Sequence, residues 1–289
     1  MSLLVFGQYF NRHETWSELA KPWVDYLSRC SYLLQQGRYY ADIAYFYGEE
    51  APLTGLFGYS PPSEIPAGYG FDYVNASVIL DQLSVLDGRI VTPSGMSYRL
   101  LYLGGSSSRM TLSVLRKLRE LVAAGAIVVG DQPLHSPSLA DNSSEFLRIS
   151  AELWGPSGKG AAGKEALAGR VYPGKDIAAV LESLGETKDF EYKAVVNQGV
   201  SEGVVDQNAV DKSAGDQIAW DQIAGEQIEL MFNHRRLADG DAYFVSNRSD
   251  QAGRVEATFR IDGKQPELWF PDSGVTQPAS FRTESGRTV

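Results

Sequence analysis

The residues best suited to chemistry near the start of the chain lie in the segment NRHETW, residues 11–16. It combines hydrogen-bonding side chains with an aromatic ring, and such mixtures bind sugars because ring faces cover C–H surfaces while polar groups take the hydroxyls. The same segment suits a helix start, with Glu14 and Thr15 as caps and Trp16 as a hydrophobic staple. Both interpretations stay open. The candidate sugar-binding residues are Asn11, Arg12, His13 and Trp16.

An adjacent pair of carboxylates is a second candidate for a catalytic site. Glu49 and Glu50 follow the apolar run ADIAYFY after Gly48, and they are the only adjacent acidic pair in a plausible strand-end loop. Two carboxyl groups at a suitable separation can act as general acid and general base. A solvated loop is the favoured interpretation of this pair.

Nucleophilic catalysis is disfavoured by the sequence. No segment of the G-x-S-x-G or G-x-C-x-G kind lies between a predicted strand and a predicted helix, where a strained turn would present a nucleophile. Cys30 lies on the apolar stripe of a helical segment, where a buried structural thiol is expected. His135 lies in the loop DQPLHSPSL, and a degenerate amidotransferase-like enzyme that uses this histidine is one hypothesis.

Two segments could hold an anion. The loop Gly104–Ser108 follows the apolar run YRLLYL, at the place where doubly wound sheets bind ligands on backbone N–H groups. It lacks G-x-G-x-x-G and the Walker lysine, so a tight turn is favoured there. The segment HRR, residues 234–236, either holds an anion or forms a strand-end turn that pairs with Asp239 or Asp241.

The composition narrows the class of protein. A length of 289 residues predicts about two domains, and 43% hydrophobic with 21% charged residues excludes disorder for most of the chain. A net charge of -10 disfavours nucleic acid as a partner. No stretch of consecutive apolar residues approaches the length of ~20 that a membrane-spanning helix needs. One cysteine and three histidines exclude an internal disulfide and a Cys-rich zinc site.

A helix rich in tryptophan is the first predicted element. Thr15 and Glu18 match a capping box, Pro22 is expected to kink the first turns, and Gly37 supplies a left-handed stop. A helix with two tryptophans in its apolar stripe needs a partner surface, and we expect that surface to be absent from this chain. The stripe consists of Trp16, Leu19, Trp23, Leu27, Cys30 and Leu34.

Strands and helices then alternate, which indicates a largely parallel α/β sheet. The clearest unit is a strand at 98–103, a helix at 112–124 and a strand at 126–129, with an expected right-handed crossover. Asp87-Gly88 predicts a hairpin turn. The other predicted elements are strands at 41–47 and 170–172 and helices at 75–83, 144–154 and 176–184.

The pattern changes after about residue 186. Five tandem pentads fill residues 206–230, and a repeat this short cannot build a solenoid, so we interpret it as a surface insertion, helical or frayed. Short alternating segments separated by turns follow, which is typical of a β-sandwich. Four such segments are too few for a complete sandwich. They cover residues 227–232, 242–245, 255–261 and 267–270.

With these residues in view, the chain resembles glycoside hydrolase family 106, the α-L-rhamnosidases. The matching segments run in order over most of the chain, and their combination is specific. Ser17 stands where the family commonly has a second aromatic residue, and Phe270 stands where it commonly has an acidic one. The matches are FNRHETW (10–16), RCSYLLQQGRYYADIAYFYGEE (29–50), PAGYGFDYVN (66–75), GMSYRLLYL (95–103), the helix and strand at 110–130, HRRLADGDAYFVSNRS (234–249) and PELWFPDSGV (266–275).

The resemblance implies inverting hydrolysis of terminal rhamnosides, in which water attacks while a second carboxyl protonates the leaving oxygen. Family members are much longer, and the resemblance places their catalytic glutamates and metal-binding carboxylates upstream, in a (β/α)8 barrel. This chain is therefore expected to lack the catalytic carboxyls and to be a C-terminal part of such an enzyme. A non-catalytic carbohydrate-binding or oligomerisation module is the alternative.

The resemblance also implies partners and a location. The partner would be a rhamnose-containing glycan or glycoside, with no nucleic acid and no membrane, and a homo-oligomer is left open. No cofactor is expected in this chain, whereas a divalent metal such as calcium is implied for the full-length bacterial enzyme. We expect that enzyme to be periplasmic or secreted.

The expected fold class is α/β. The resemblance implies a flavodoxin-like, glutamine-amidotransferase-like three-layer domain, preceded by a long helix and followed by a partial β-sandwich. This domain lacks the Cys and His that amide chemistry would need. The predicted boundaries are 1–37 for a terminal barrel-type helix segment, 38–190 for the α/β domain, 191–230 for a linker with the pentad insertion, and 231–289 for the partial β-sandwich.

Overall fold

The computed structural model describes residues 13–50, 61–155, 169–174, 176–195 and 228–289. Asn11, Arg12 and residues 206–227 of the pentad segment lie outside this described part of the chain. No helix within it is long and apolar enough to cross a membrane. The helices are a 3-10 turn at Ser17–Leu19, α1 at Lys21–Gln35, α2 at Ala76–Asp81, α3 at Leu112–Ala123, α4 at Ser143–Trp154 and α5 at Ile177–Ser183.

The strands are short, and they form several separate sheets. In chain order they are β1 Arg38–Tyr39, β2 Ile43–Phe46, β3 Phe71–Val74, β4 Ser84–Leu86, β5 Arg89–Val91, β6 Ser97–Tyr98, β7 Leu100–Leu103, β8 Ile127–Val129, β9 Arg170–Tyr172, β10 Phe190–Ala194, β11 Leu230–Arg236, β12 Asp241–Asn247, β13 Val255–Phe259, β14 Glu267–Trp269, β15 Thr276–Pro278, β16 Thr283–Glu284 and β17 Arg287–Thr288.

A five-stranded sheet lies at the centre of the α/β part. Its order is β3-β2-β7-β8-β9, and every neighbouring pair is parallel. Numbered along the chain, these five strands lie in the order 2-1-3-4-5, which is one of the two common orders of doubly wound sheets. The flavodoxin-like description stays a prediction, and this strand order supports it.

Apolar layers cover both faces of this sheet. On one face Phe46, Leu101 and Val128 pack with residues of α2, α3 and α4. On the other face Ile43 and Leu100 pack with residues of α5. Successive strand residues point to opposite faces, so the runs IAYF and LLYL supply side chains to both layers and read as continuous apolar stretches.

The βαβ unit predicted at 98–129 is present as β7, α3 and β8, with one difference. The run YRLLYL is divided at Arg99, because β6 pairs with the antiparallel strand β5 whereas β7 joins the parallel sheet. The hairpin predicted at Asp87-Gly88 also forms, between β4 and β5. Both of its turn residues have a positive φ, as a two-residue hairpin turn of type I′ requires.

The start of α1 differs from the prediction. Its N-cap residue is Ala20, which makes no side-chain capping bond, so the capping box predicted from Thr15 and Glu18 is wrong. Pro22 lies in the first turn, where the backbone N–H has no intrahelical partner, so it suits the helix start rather than kinking it. Gly37 ends the segment with φ at 57°, as predicted.

The C-terminal segments form two sheets and a hairpin within the described residues. The orders are β1-β11-β12 and β10-β13-β17-β16, with β14 paired to β15. An aromatic core lies between the two sheets, in which the ring of Phe190 is 5.2 Å from that of Phe232 and 5.3 Å from that of Phe259. The strands β1 and β10 pair with C-terminal strands, although the predicted boundaries place β1 in the α/β domain and nearly all of β10 in the linker.

Candidate functional site

The carboxyl ends of β2 and β7 lie side by side where the strand order reverses, which is the usual ligand position in a doubly wound sheet. The loops that leave these strands pack tightly together. The N–H of Gly104 donates to the carbonyl of Phe46 at 2.9 Å, and the N–H of Ser106 donates to the carbonyl of Tyr47 at 3.1 Å. A Cβ added to Gly105 would meet the Tyr47 carbonyl oxygen, so this close approach requires the small residue.

The anion position at the start of α3 is filled by two of the protein's own carboxylates. Glu49 accepts hydrogen bonds from the N–H and the hydroxyl of Thr111, at 2.7 and 2.9 Å. Asp141 accepts from the N–H of Leu112 at 2.7 Å and from the hydroxyl of Ser136 at 2.6 Å. These hydrogen bonds lower the pKa of Asp141. A phosphate would have to displace both carboxylates, so the geometry supports the tight-turn interpretation of Gly104–Ser108.

Glu49 and Glu50 have separate partners. Glu50 forms an ion pair with Arg109 at 2.6 Å, while Glu49 bonds Thr111. The prediction of a simple solvated loop is therefore wrong for Glu49, which acts as a helix cap. Neither carboxylate is left free for acid/base chemistry in this arrangement.

The geometry also bears on the amidotransferase-like hypothesis. His135 is exposed, and its backbone forms a bridge with Arg109. Cys30 is buried within α1 and does not lie on a strand-to-helix turn. The two residues that such an enzyme would need therefore lack the geometry that would support it.

Two of the predicted sugar-binding residues, His13 and Trp16, fall within the described part of the chain, near a helix whose apolar side chains are exposed. In the structure, His13 is exposed, and Trp16 packs edge-on against Trp23 with ring centroids 6.2 Å apart. Leu19 is 78% exposed and Tyr32 is 66% exposed, while Cys30 is the buried residue of α1. We call this exposed apolar surface, made by Trp16, Leu19, Trp23, Val24, Tyr26 and Leu27, the α1 face.

Two arginines fix α1 to the C-terminal sheets. Arg29 donates to the carbonyls of Pro271 and Asp272 at 2.8 and 2.9 Å. Arg235 of β11 donates to the carbonyls of Gln36 and Gly37 at 2.8 and 3.0 Å, at the helix end where carbonyls lack intrahelical partners. These polar contacts hold the helix in place, and the side chains of the α1 face are 37–78% exposed. The hairpin reached by Arg29 exposes Trp269 and Phe270 as well.

A buried polar cluster lies near the amino end of the parallel sheet. His234, which is 1% exposed, lies between Asp189 and Asp241. Its Nδ1 is 2.8 Å from an Asp189 oxygen, and its Nε2 is 2.9 Å from an Asp241 oxygen. The hydroxyl of Tyr243 donates to the other Asp189 oxygen at 2.6 Å, and the Tyr243 ring stacks on His234 at 4.1 Å.

Arg260 joins this cluster to the parallel sheet. Its Nη2 lies 3.1 and 2.9 Å from the two oxygens of Asp42, the fully buried residue directly before β2. Its Nη1 lies 3.4 Å from Glu186. Burial raises the pKa of Asp42. Burial alone would lower the pKa of Arg260, but the charge of Asp42 and the neighbouring acids outweigh it, so the pKa rises.

The contacts of the segment 234–236 distinguish its two hypotheses, an anion site and a pairing with Asp239 or Asp241. His234 and Arg236 both contact Asp241, at 2.9 and 3.9 Å, which is the pairing hypothesis rather than the anion site. Sequence reasoning missed Asp42, which brings Arg260 into the cluster. The sequence did contain a signal for this contact. Asp42 directly precedes the apolar run IAYF, and a carboxylate buried beside such a strand needs a cationic partner.

Calcium does not fit the described side chains. Across residues 13–50, 61–155, 169–174, 176–195 and 228–289, no three His, Cys, Asp or Glu side chains are grouped to hold a metal. In the buried cluster the imidazole of His234 separates two carboxylates instead of converging with them.

Comparison with known proteins decides the family. The model of the glycoside hydrolase family 106, described as alpha-L-rhamnosidase, matches residues 1–202 and 195–283. The chain belongs to this family. The resemblance seen in the sequence is thereby confirmed. The two matched ranges cover both the α/β part and the C-terminal sheets.

Two similar proteins are much longer than this chain. The structure of a rhamnosidase from Novosphingobium sp. PP1Y is 40% identical with a TM-score of 0.78, and the match covers 99% of this chain and 24% of that one. A putative beta-glucuronidase from Formosa agariphila is 30% identical over 295 residues, covering 100% of this chain and 21% of that protein. The chain therefore spans a quarter or less of these relatives.

Proposed function

We propose that this chain is a non-catalytic module of a family 106 glycoside hydrolase that cleaves terminal rhamnosides with inversion. Inversion needs one carboxyl as general acid and another that activates water across the sugar ring. The pair that the sequence offered, Glu49 and Glu50, is held by Thr111 and Arg109. The catalytic pair then belongs to the part of the enzyme that this chain does not span.

The observation that carries this proposal is the open α1 face. Four residues of the apolar stripe, Trp16, Leu19, Trp23 and Leu27, are 40–78% exposed, whereas burial of such surface contributes roughly 25 cal/mol per Å². Contiguous exposed apolar surface marks a protein–protein contact. We propose that the catalytic part of the same enzyme covers the α1 face, as the expected role of this helix at the end of a barrel implies.

The predicted sugar contacts belong to the same proposal. His13 and Trp16 lie at the beginning of the α1 face, directly after Asn11 and Arg12 in the sequence. If the catalytic part packs on α1, these four residues come next to its substrate. In a full-length enzyme, Arg12→Ala is expected to raise KM or lower kcat for an aryl rhamnoside. Unchanged kinetics would refute the contact.

The test of this proposal distinguishes a loss of folding from a loss of contact between the α1 face and the catalytic part of the enzyme. In the full-length enzyme, Leu19→Asp on the α1 face should lower rhamnosidase activity and make the segment before α1 sensitive to protease. The matched control is Leu147→Asp, because Leu147 is 61% exposed on α4, away from the α1 face. Both variants should leave the isolated chain folded. Equal activity of the two full-length variants would contradict docking through α1.

Carbohydrate binding by the module itself is a second candidate, favoured by the exposed Trp16 and Trp23 rings. The isolated chain would then bind rhamnose or a rhamnose-containing glycan in a calorimetric titration, with no hydrolysis. Trp16→Ala should abolish that binding. A chain that instead elutes as a dimer, and becomes monomeric with Leu19→Asp, would identify an oligomerisation module.

A further inference from the structure

The exposed aromatic side chains are concentrated in two segments. Across the described part of the chain, every exposed tryptophan, tyrosine or phenylalanine lies at 16–32 or at 269–281. The first segment contains most of α1, and the second begins in the hairpin of β14 and β15. Aromatic residues are enriched in protein interfaces, and clustered exposed apolar side chains mark such contacts. The second segment therefore also indicates a contact surface.

The hairpin of β14 and β15 has no buried residue. All residues of both strands are exposed, and among the described strands each of the two pairs only with the other. Leu268 is 48% exposed and Trp269 is 55% exposed. A two-stranded hairpin is at best marginally stable in water, and it needs further strands or packing against another element. We therefore expect another surface to cover this hairpin.

Apolar side chains lie on both faces of the hairpin. Leu268 and Trp269 are successive residues of β14, paired with Gln277 and Thr276 of β15. Because successive residues of a strand point to opposite faces, Leu268 lies on one face and Trp269 on the other. A flat partner surface could cover only one of them. The hairpin therefore fits a groove whose two walls contact both faces.

The turn of the hairpin lies directly against α1. Arg29 of α1 donates to the carbonyls of Pro271 and Asp272 at 2.8 and 2.9 Å. A Cβ added to Gly274 would come within 3.0 Å of the Arg29 Nε. A partner that covers the α1 face therefore meets the hairpin as well.

We propose that the catalytic part of the same enzyme encloses this hairpin in a groove, as an extension of its contact with the α1 face. The similar rhamnosidase structure matches 99% of this chain but only 24% of its own, so most of such a protein is available to form the groove. The inference rests on the proposed function, because it takes the same occupant. It adds a second contact and the shape of the surface that makes it.

Hydroxyl-radical labelling of the full-length enzyme, measured for each residue by mass spectrometry, tests the groove. The labelling rate of each side chain in the native enzyme is compared with its rate after unfolding in urea. Leu268 and Trp269 should both be slowed several-fold, as the fully buried Trp154 is, whereas Leu147 on α4, 61% exposed, should stay near its unfolded rate. Labelling of Leu268 and Trp269 as fast as that of Leu147 would overturn the proposal. Slow labelling of only one of them would overturn the groove, because a flat contact would explain it.

The same measurement separates this inference from the proposed function, since Trp16 and Trp23 report on the α1 face. Slow labelling of these two with fast labelling of Leu268 and Trp269 would leave the α1 contact standing and overturn the groove. Fast labelling of all four would overturn both. Protection of Leu268 and Trp269 that disappears on dilution would assign the contact to a second copy of the enzyme, against the proposal.

Two variants test the walls of the groove separately. Leu268→Ser and Trp269→Ser each remove apolar contact with one wall, so each should lower the thermal midpoint of the full-length enzyme more than Leu147→Ser does. A decrease no larger than that of Leu147→Ser, in either variant, would contradict enclosure of both faces.

Discussion

Both carboxylate oxygens of Glu49 accept hydrogen bonds from Thr111, one from its N–H at 2.7 Å and one from its hydroxyl at 2.9 Å. Glu49 follows β2, and Thr111 is the N-cap residue of α3. The contact therefore ties together the loops of the two strands at which the strand order reverses. It also places a negative charge at the positive end of the helix dipole.

Removing the charge of Glu49 should destabilise the start of α3. Glu49→Gln keeps an acceptor oxygen but loses the charge, so the free energy of unfolding should fall by about 1 kcal/mol. Urea denaturation measures this change. Glu50→Gln is the matched control, because the half-exposed ion pair of Glu50 with Arg109 contributes at most about 0.5 kcal/mol. Equal losses in the two variants would argue against the cap.

Breaking the contact between Arg260 and Asp42 should have a larger effect. Arg260→Met leaves the fully buried carboxylate of Asp42 without its guanidinium, which costs roughly 3–5 kcal/mol of unfolding free energy. The double variant Arg260→Met with Asp42→Asn removes the unpaired charge and should recover a large part of that loss. Denaturant midpoints of the three proteins provide the measurement.

Arg282→Met is the control for this pair, since Arg282 forms its ion pairs with Glu256 and Glu284 at the exposed edge of the C-terminal sheets. Its effect should stay within about 1 kcal/mol. A double variant no more stable than Arg260→Met alone would show that Asp42 is not the source of the cost.

Because of Asp141, the free energy of unfolding should depend on pH in the acidic range. Hydrogen bonds from the Leu112 N–H and the Ser136 hydroxyl lower its pKa below the ordinary 3.8. A carboxyl with a lowered pKa contributes stability above its unfolded pKa, and that contribution is lost as the pH falls through the folded value. Asp141→Asn should therefore cost up to about 1 kcal/mol at about pH 6 and much less at about pH 2.

Urea denaturation of the wild type and Asp141→Asn at the two pH values measures this dependence. The control is Asp176→Asn, in which the cap of α5 is changed at a site away from Leu112. A difference between wild type and Asp141→Asn that does not shrink in acid would contradict the assigned hydrogen bonds.

Loss of either anchoring arginine should loosen α1. Arg29→Met removes the bonds to the Pro271 and Asp272 carbonyls, and Arg235→Met removes those at the end of the helix. Because few apolar side chains of α1 are buried, amide hydrogen exchange in Lys21–Gln35 should become roughly tenfold faster in either variant, while exchange in β2 and β7 stays unchanged. Arg148→Met on α4 is the control. Equal exchange in wild type and both α1 variants would show that apolar contacts hold the helix.

Local patterns in the sequence predicted most of the elements. The helical period of α3 and α4, the Asp87-Gly88 turn and the alternation of strands with helices each depend on neighbouring residues, so they can be recognised without the fold. The family resemblance also came from the sequence, and the family comparison confirmed it. The short strands β1, β3 and β10 were missed, because their pairing partners rather than their composition make them strands.

The candidate sites depended more on tertiary structure. The sequence identified Glu49 and His234 as chemically capable residues, but their partners Thr111 and Asp189 are distant in the chain. The fold alone brought Arg260 to Asp42, since long-range pairing of charges leaves no local pattern. The sequence by itself determined the helices, most of the longer strands and which side chains carry charge. Only the folded chain decided which charges pair with one another and how far the apolar residues of α1 are exposed, because both outcomes depend on which surfaces meet.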